Sequence, residues 1–357
     1  EGAEGEGEGA EGEGEGAEGE GEGEGSDPPP AAPLLTPLLD VEFQYERWGA
    51  ELSHDGSQIA TIGNGDVLLY DLVPPDPIRP ARMFDIDDHD QIESLLSDAV
   101  FSPIDPLLVV LDGGIHLTGW DTSTAGFDFV GALRTENGVS LRGGLQFNEA
   151  GTRIIGADDG NAAVVQVTPG FANLFVEDGD WGYSPAAVAR FFGPDDGIVV
   201  TEDAEAGILR FLAPVGGGIP TWGNARRVQV SDLVPTCGEI LCLAAATGQP
   251  RIAVCCSGGG LLIIDDPVSA EPRIFTLSSG FRPFEAAALA RNGSLAAAVA
   301  GETLHVWQAS SASALPAKVA VGLASDSYPL RVCFDPAAAR VAVDREKRLV
   351  VHAVEIP

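Results

Sequence analysis

From about residue 40 to the end of the chain, short apolar runs alternate with turn-forming residues in a recurring plan. Ala99 to Asp121, AVFSPIDPLLVVLDGGIHLTGWD, gives the plan in full: an apolar run, a turn with Pro, a second run, a Gly/Asp turn, and a third run ending in Trp-Asp. Runs of four to seven residues separated by turn formers are the pattern of short antiparallel strands, because successive strand residues face opposite sides and the chain must reverse between them. The unit is therefore a three-strand meander. Six other stretches repeat it, with first turns at SHDG (53–56), NEAG (148–151), GPDD (193–196), ATGQ (246–249), ARNG (290–293) and DPAA (335–338) beside SPID (102–105). Their third runs end near Tyr70, Trp120, Gln166, Phe211, Ile264, Trp307 and His352, at intervals of 43 to 53 residues.

A shorter apolar run follows six of the seven units: RMFDI (82–86), FDFVGAL (127–133), NLFVE (173–177), RVQV (227–230), RIFTL (273–277) and KVAV (318–321). Each supplies a fourth, outer strand. The seventh unit has none, whereas VEFQY (41–45) stands before the first unit without a partner. An N-terminal strand that completes the last sheet closes a ring and leaves no open inner edge for another chain to pair with. Seven near-equal units with this closure predict an all-β fold, a seven-bladed β-propeller over residues 40–357.

The pattern resembles the WD-repeat family. The resemblance is carried by Trp120-Asp121, Tyr70-Asp71, the SHDG and ARNG turns, and GETLHVW (301–307), and it covers about Asp40 to Pro357. One unit has the Trp-Asp pair and none has the Gly-His pair, which corresponds to a diverged member or to a convergent propeller with SPDG-like turns. The resemblance implies a rigid ring that binds other proteins.

Residues 1–25 contain only Glu, Gly and Ala, with eleven glutamates. Such a segment has no apolar surface to set against the entropy lost on ordering, and its like charges repel, so it is expected to be disordered. Prolines 28, 29, 30, 33 and 37 make the next stretch an extended spacer, and residues 1–39 read together as an acidic tail and spacer. They carry −12 of the formal −34, from eleven Glu and Asp27, which leaves −22 on the ring. So acidic a surface repels phosphate backbones and anionic lipid, which disfavours direct nucleic-acid or membrane binding and favours basic partners. No run is long enough to span a bilayer, and no membrane insertion is expected.

Four of the five cysteines, Cys237, Cys242, Cys255 and Cys256, fall in the fifth unit, and Cys333 in the seventh. Neighbouring strand residues face opposite sides, so Cys255 and Cys256 cannot share a metal. Buried inert thiols are expected; the alternative is a single disulfide from Cys237 or Cys242 to Cys255 or Cys256, which would point to an oxidising compartment. The histidines 54, 89, 116, 305 and 352 do not assemble into a site, and DIDDHD (85–90) reads as a solvated acidic loop. Asp112, Asp158 and Asp203 read as hairpin residues. G-x-S-x-G, G-x-x-x-x-G-K and H-E-x-x-H are all missing.

The expected function is a non-catalytic protein-interaction scaffold, a monomeric propeller within a complex, with no cofactor and no metal. Its partners are proteins or peptides, and exposed aromatics in inter-blade segments, Trp181, Tyr183 and Trp222, are the candidate hot spots. The alternative is a propeller enzyme or small-ligand-binding protein that uses the central funnel. Localisation stays open between the cytoplasm and export or lipid tethering.

Overall fold

The computed structural model describes residues 31–45, 47–63, 65–73, 82–85, 96–112, 116–123, 128–134, 144–158, 161–167, 172–178, 188–215, 221–278, 282–321, 331–345 and 347–357. The Glu/Gly segment, Trp181, Tyr183 and all of DIDDHD after Asp85 lie outside them.

A leading strand, β1 (Leu34–Glu42), precedes the first blade, which holds β2 (Arg47–Leu52), β3 (Gln58–Gly63), β4 (Asp66–Asp71) and β5 (Arg82–Asp85). Blade two holds β6 (Leu96–Phe101), β7 (Leu107–Asp112), β8 (His116–Asp121) and β9 (Asp128–Arg134). Blade three holds β10 (Gln146–Phe147), β11 (Arg153–Asp158), β12 (Asn161–Gln166) and β13 (Ala172–Asp178). Blade four holds β14 (Ala189–Phe192), β15 (Gly197–Asp203), β16 (Ile208–Val215) and β17 (Thr221–Gln229), followed by one helical turn, α1 (Val230–Leu233). Blade five holds β18 (Ile240–Ala246), β19 (Arg251–Cys256), β20 (Leu261–Asp265) and β21 (Arg273–Leu277). Blade six holds β22 (Ala286–Leu289), β23 (Leu295–Ala300), β24 (Thr303–Gln308) and β25 (Ala317–Ala320). Blade seven holds β26 (Arg331–Phe334), β27 (Arg340–Arg345) and β28 (Arg348–Glu355), with β1 as its outer strand. The fold is the expected seven-bladed propeller of four-stranded antiparallel sheets.

The first turns show why the repeats carry SHDG-like letters. In three of them the fourth residue is a glycine at positive φ, Gly56 (69°), Gly151 (67°) and Gly293 (68°). Each donates its N–H to the carbonyl of the first residue, at 2.9, 3.1 and 2.8 Å, closing the turn. This left-handed conformation suits glycine because it has no Cβ to clash with the backbone. Asp196 and Ala338 adopt the same conformation in the GPDD and DPAA turns.

The hydrophobic core is divided into seven clusters, and each lies between two adjacent blades. The second strands show the reason. Leu108 and Val110 of β7 join the cluster shared with blade one, and Val109 and Leu111 join the cluster shared with blade three. Side chains alternate between the faces of a strand. Both faces meet a neighbour, so the strand is apolar throughout. The large residues that end the third strands sit in these wedges: Tyr70, Trp120, Phe211 and Trp307 are all buried.

Closure departs from the sequence expectation in its bounds. The closing strand begins at Leu34 and not at Val41, so it takes in residues read as spacer. It pairs with β28 from Leu34↔Glu355 to Glu42↔Arg348. Pro37 is tolerated because β1 is the outer edge of its sheet and the register shifts between Pro37 and Leu39, where a missing N–H costs no ladder bond. Arg348 clamps the strand with two bonds to Asp40, at 2.8 and 2.7 Å.

The cysteines also depart from the expectation of inert thiols. Cys242 bonds to Cys255, its register partner across β18 and β19, and Cys237 bonds to Cys256, with Cα separations of 4.9 and 5.0 Å. The alternation that argued against a shared metal sends adjacent cysteines to different partners: Cys255 belongs to the wedge with blade six and Cys256 to the wedge with blade four. Closing loops of this size contributes about 3 kcal/mol each in the chain-entropy account. Cys333 is free and buried.

Two outcomes follow for solution experiments. A chain starting at Ala31 is expected to keep the thermal midpoint of the full chain, whereas one starting at Tyr45 loses cooperative unfolding and self-associates; calorimetry and light scattering read both. Denatured but unreduced protein is expected to titrate one thiol, Cys333, and five after reduction; five before reduction would remove the disulfides.

Candidate functional site

The inner strands β2, β6, β10, β14, β18, β22 and β26 surround the axis and enclose a cavity of about 360 Å³. Its wall is polar and apolar in about equal measure: Val100, Leu243, Ala287 and Val332 line it beside the charged Glu51, Arg190, Glu285 and Arg331, and Asp98 stands next to Arg331 on β6. Where the inner strands begin, Arg331 of blade seven reaches across the ring. Its Nη1 pairs with Asp98 of blade two and donates to Ala99 O at 3.2 Å, while its Nη2 lies 3.0 Å from Glu51 Oε2 of blade one and donates to Leu145 O of blade three at 3.3 Å. Asp98 is satisfied as well, accepting the N–H groups of Ala99 at 2.8 Å and Leu145 at 2.7 Å. One guanidinium thus joins four blades.

At the other end, where the first turns converge, Arg291 of blade six spans the axis to Glu149 of blade three. Its Nε donates to Glu149 Oε2 at 2.5 Å and its Nη2 to Glu149 O at 2.7 Å, and Nη1 reaches Pro103 O of blade two at 3.3 Å. Thr247 Oγ1 of blade five adds a bond to Glu149 Oε2 at 2.8 Å. Both mouths are crossed by side chains.

Arg190 differs from these two arginines. Its Nη1 donates to Gly144 O at 2.5 Å and Ala189 O at 2.9 Å, and among the described residues no carboxylate lies within ion-pair distance of it. Gly144 leaves it room: a Cβ there would stand 2.9 Å from Nη1, and the residue has φ +68°. Burial and the neighbouring charge of Arg331 depress the Arg190 pKa to about 10, opposed by the charges of Asp98 and Glu51.

Burial also raises Glu51 to about 7, despite the attraction of Arg331, and the charge of Asp98 adds to the rise. Asp344 on β27 is raised to about 7 by burial as well; it is 1% exposed and neither carboxylate oxygen has a hydrogen bond. The Cys333 thiol is pushed well above its ordinary range by burial, so it stays protonated and is a poor nucleophile. Among the described residues no group of three His, Cys, Asp or Glu side chains is arranged to hold a metal ion. The arrangement suits two roles, bracing the ring across its axis and holding an anion on Arg190.

The sequence reading singled out none of Glu51, Asp98, Arg190 and Arg331. The signal was present in the inner runs RWGAEL, LSDAVF, ARFF and RVCF, where charged residues interrupt or open otherwise apolar strands. Trp222, expected in an inter-blade loop, lies on β17, a strand that starts six residues before the RVQV run. It is 6% exposed, packs between blades three and four, and donates from Nε1 to Asp196 O at 2.7 Å. Asp203 acts as the hairpin residue expected, accepting the Ala206 N–H at 2.8 Å. Asp112 sits opposite His116 in its hairpin, Oδ2 to Nδ1 3.6 Å.

No protein-family model matches the chain, and a search of curated proteins finds no match. The class is therefore set by architecture, a seven-bladed β-propeller. No helix among the described residues is long and apolar enough to cross a membrane.

The raised Glu51 and Asp344 fix the sign of a pH effect. Between the unfolded carboxylate range and about pH 7 the folded chain holds more protons than the unfolded one, so stability falls as pH rises through that window and levels off above it. Glu51→Gln is expected to flatten the profile and to gain on the parent by about 1–3 kcal/mol between pH 4.5 and pH 7.5. Urea unfolding at those two pH values measures it, and an unchanged slope would mean that Glu51 ionises freely.

Proposed function

We propose that the chain is a non-catalytic protein-interaction scaffold, a WD-repeat-like propeller that works within a larger assembly. The observation that carries this reading is the use made of the axial charges. Arg331 with Asp98 and Glu51, and Arg291 with Glu149, are engaged with one another from blade to blade. Groups consumed in bracing favour a rigid ring whose working surface is its outside. The formal −22 on residues 40–357 favours basic proteins or peptides as partners. Trp181 and Tyr183 are the proposed aromatic anchors, outside the described residues; Trp222 offers a partner little area at 6% exposure.

The compartment follows from a separate observation. Two disulfides in one blade favour an oxidising environment over the reducing cytosol, and with it an exported or lumenal scaffold.

Residues 31–357, immobilised and exposed to an extract of the native cells, test the scaffold reading. A saturable partner near one-to-one stoichiometry is expected to persist at about 0.5 M salt, where charges are screened within roughly 4 Å, and to weaken in Trp181→Ala or Tyr183→Ala. Recovery of only salt-labile basic proteins, indifferent to both substitutions, would count against it.

A further inference from the structure

We propose that the axial cavity is a binding site for a small organic carboxylate, seated on the guanidinium of Arg190. This goes beyond the scaffold reading and does not depend on it.

Arg331 and Arg291 are charge-balanced within the ring, by Asp98 with Glu51 and by Glu149. Among the described residues Arg190 is held by neutral carbonyls alone, those of Gly144 and Ala189, both on Nη1. Among the described residues its Nε and Nη2 have no hydrogen-bond partner and neither is a buried unsatisfied atom, and the residue lines the cavity. The Nε–Nη2 edge of a guanidinium presents two parallel N–H donors at the spacing of the two oxygens of a carboxylate, and such paired, charge-assisted bonds are about twice as strong as neutral ones. The two carbonyls fix the side chain in advance, so little rotamer entropy is lost when an anion docks. The space of about 360 Å³ falls within the range of small-ligand sites. Apolar wall residues Val100, Leu243, Ala287 and Val332 suit a short hydrocarbon body behind the carboxylate.

The neighbours set the class of anion. Glu51 and Glu285 also line the cavity and would repel a dianion, and only one free guanidinium edge is available, which fits a monocarboxylate better than phosphate. The side chains crossing both mouths limit the ligand to a small molecule. Approach is against the negative field of the ring, but at physiological salt that field decays over about 8 Å and leaves recognition to the local donors.

Isothermal titration of the full chain with butyrate, its neutral isostere butyramide, and inorganic phosphate, at matched ionic strength, tests this. Saturable binding of butyrate at one site per chain is expected, with butyramide and phosphate at least about tenfold weaker, the effect of losing one charge-assisted pair. Arg190→Gln and Gly144→Ala are each expected to weaken butyrate by a similar factor, whereas Arg153→Gln, at a pair with Asp196 away from the cavity, leaves it unchanged. Equal binding of butyramide, preferred binding of phosphate, no saturable butyrate binding, or full affinity in Arg190→Gln would each overturn the proposal. The butyrate–butyramide comparison uses the unaltered protein and decides the matter even where a variant fails to fold.

Discussion

Every apolar face in this ring is shared. A blade of four short strands is apolar on both sides, and neither side can be buried within the blade itself. Ile252 and Val254 of β19 face blade four while Ala253 and Cys255 face blade six, and the same division recurs in β7, β15, β23 and β27. A blade alone would expose both sides, and an incomplete ring would expose two. The burial that drives folding is therefore available in full only to the closed ring. Closure is not an ornament at the chain ends; it is the condition under which the last wedge forms.

The last wedge lies between blades seven and one, and it is made by two segments from opposite ends of the chain. Leu39 of β1 packs with Tyr70 and Leu52 of blade one and with Leu349 and Val351 of blade seven. The β1–β28 ladder joins them, and Phe43 N donates to Lys347 O at 2.7 Å just beyond it. The closing strand thus does two jobs, completing a sheet and filling a wedge. On the far side of the ring, the two disulfides of blade five tie the inner strand β18 and the loop before it to β19. They fasten the blade within itself and leave the joints between blades to apolar packing.

The number of blades, their order and the identity of the third-strand anchors were legible in the sequence because they rest on local periodicity. Tyr70, Trp120 and Trp307 could be placed from turn residues and strand length alone. What was not legible depends on distance across the ring. Asp98 and Arg331 are 233 residues apart in the chain and meet only because ring closure sets blades seven and two on either side of blade one, with their inner strands at the axis. The start of β1 was missed because Pro33 and Pro37 read as spacer; the sheet accepts Pro37 because it lies on an outer edge at a register shift. The run TWGNARRVQ around Trp222 does not alternate cleanly and so reads as loop, yet β16 extends to Val215 and offers it a ladder, Pro214↔Trp222. Long-range pairing overrode weak local propensity there.

The axis explains why charge is found in the middle of so apolar a protein. Seven inner strands set around a ring leave a central space that their own short side chains do not fill, since those side chains alternate between the two neighbouring wedges, as Ala99 and Val100 of β6 and Val332 and Cys333 of β26 do. Long polar side chains cross it where apolar ones would leave voids, and their burial is tolerable only if donors and acceptors match. Arg331 meets this condition with hydrogen bonds to Asp98 and two carbonyls and an ion pair to Glu51, whose Oε2 makes no hydrogen bond, and Arg291 meets it with one carboxylate and two carbonyls. Arg190 meets it by half. A guanidinium held on one nitrogen and open on its other edge adds little bracing for its desolvation cost, since a methionine of similar length would fill the same space without a charge to desolvate. Bracing therefore accounts for Arg331 and Arg291 and falls short for Arg190, and the deficit is in the one place where an entering anion would make it good.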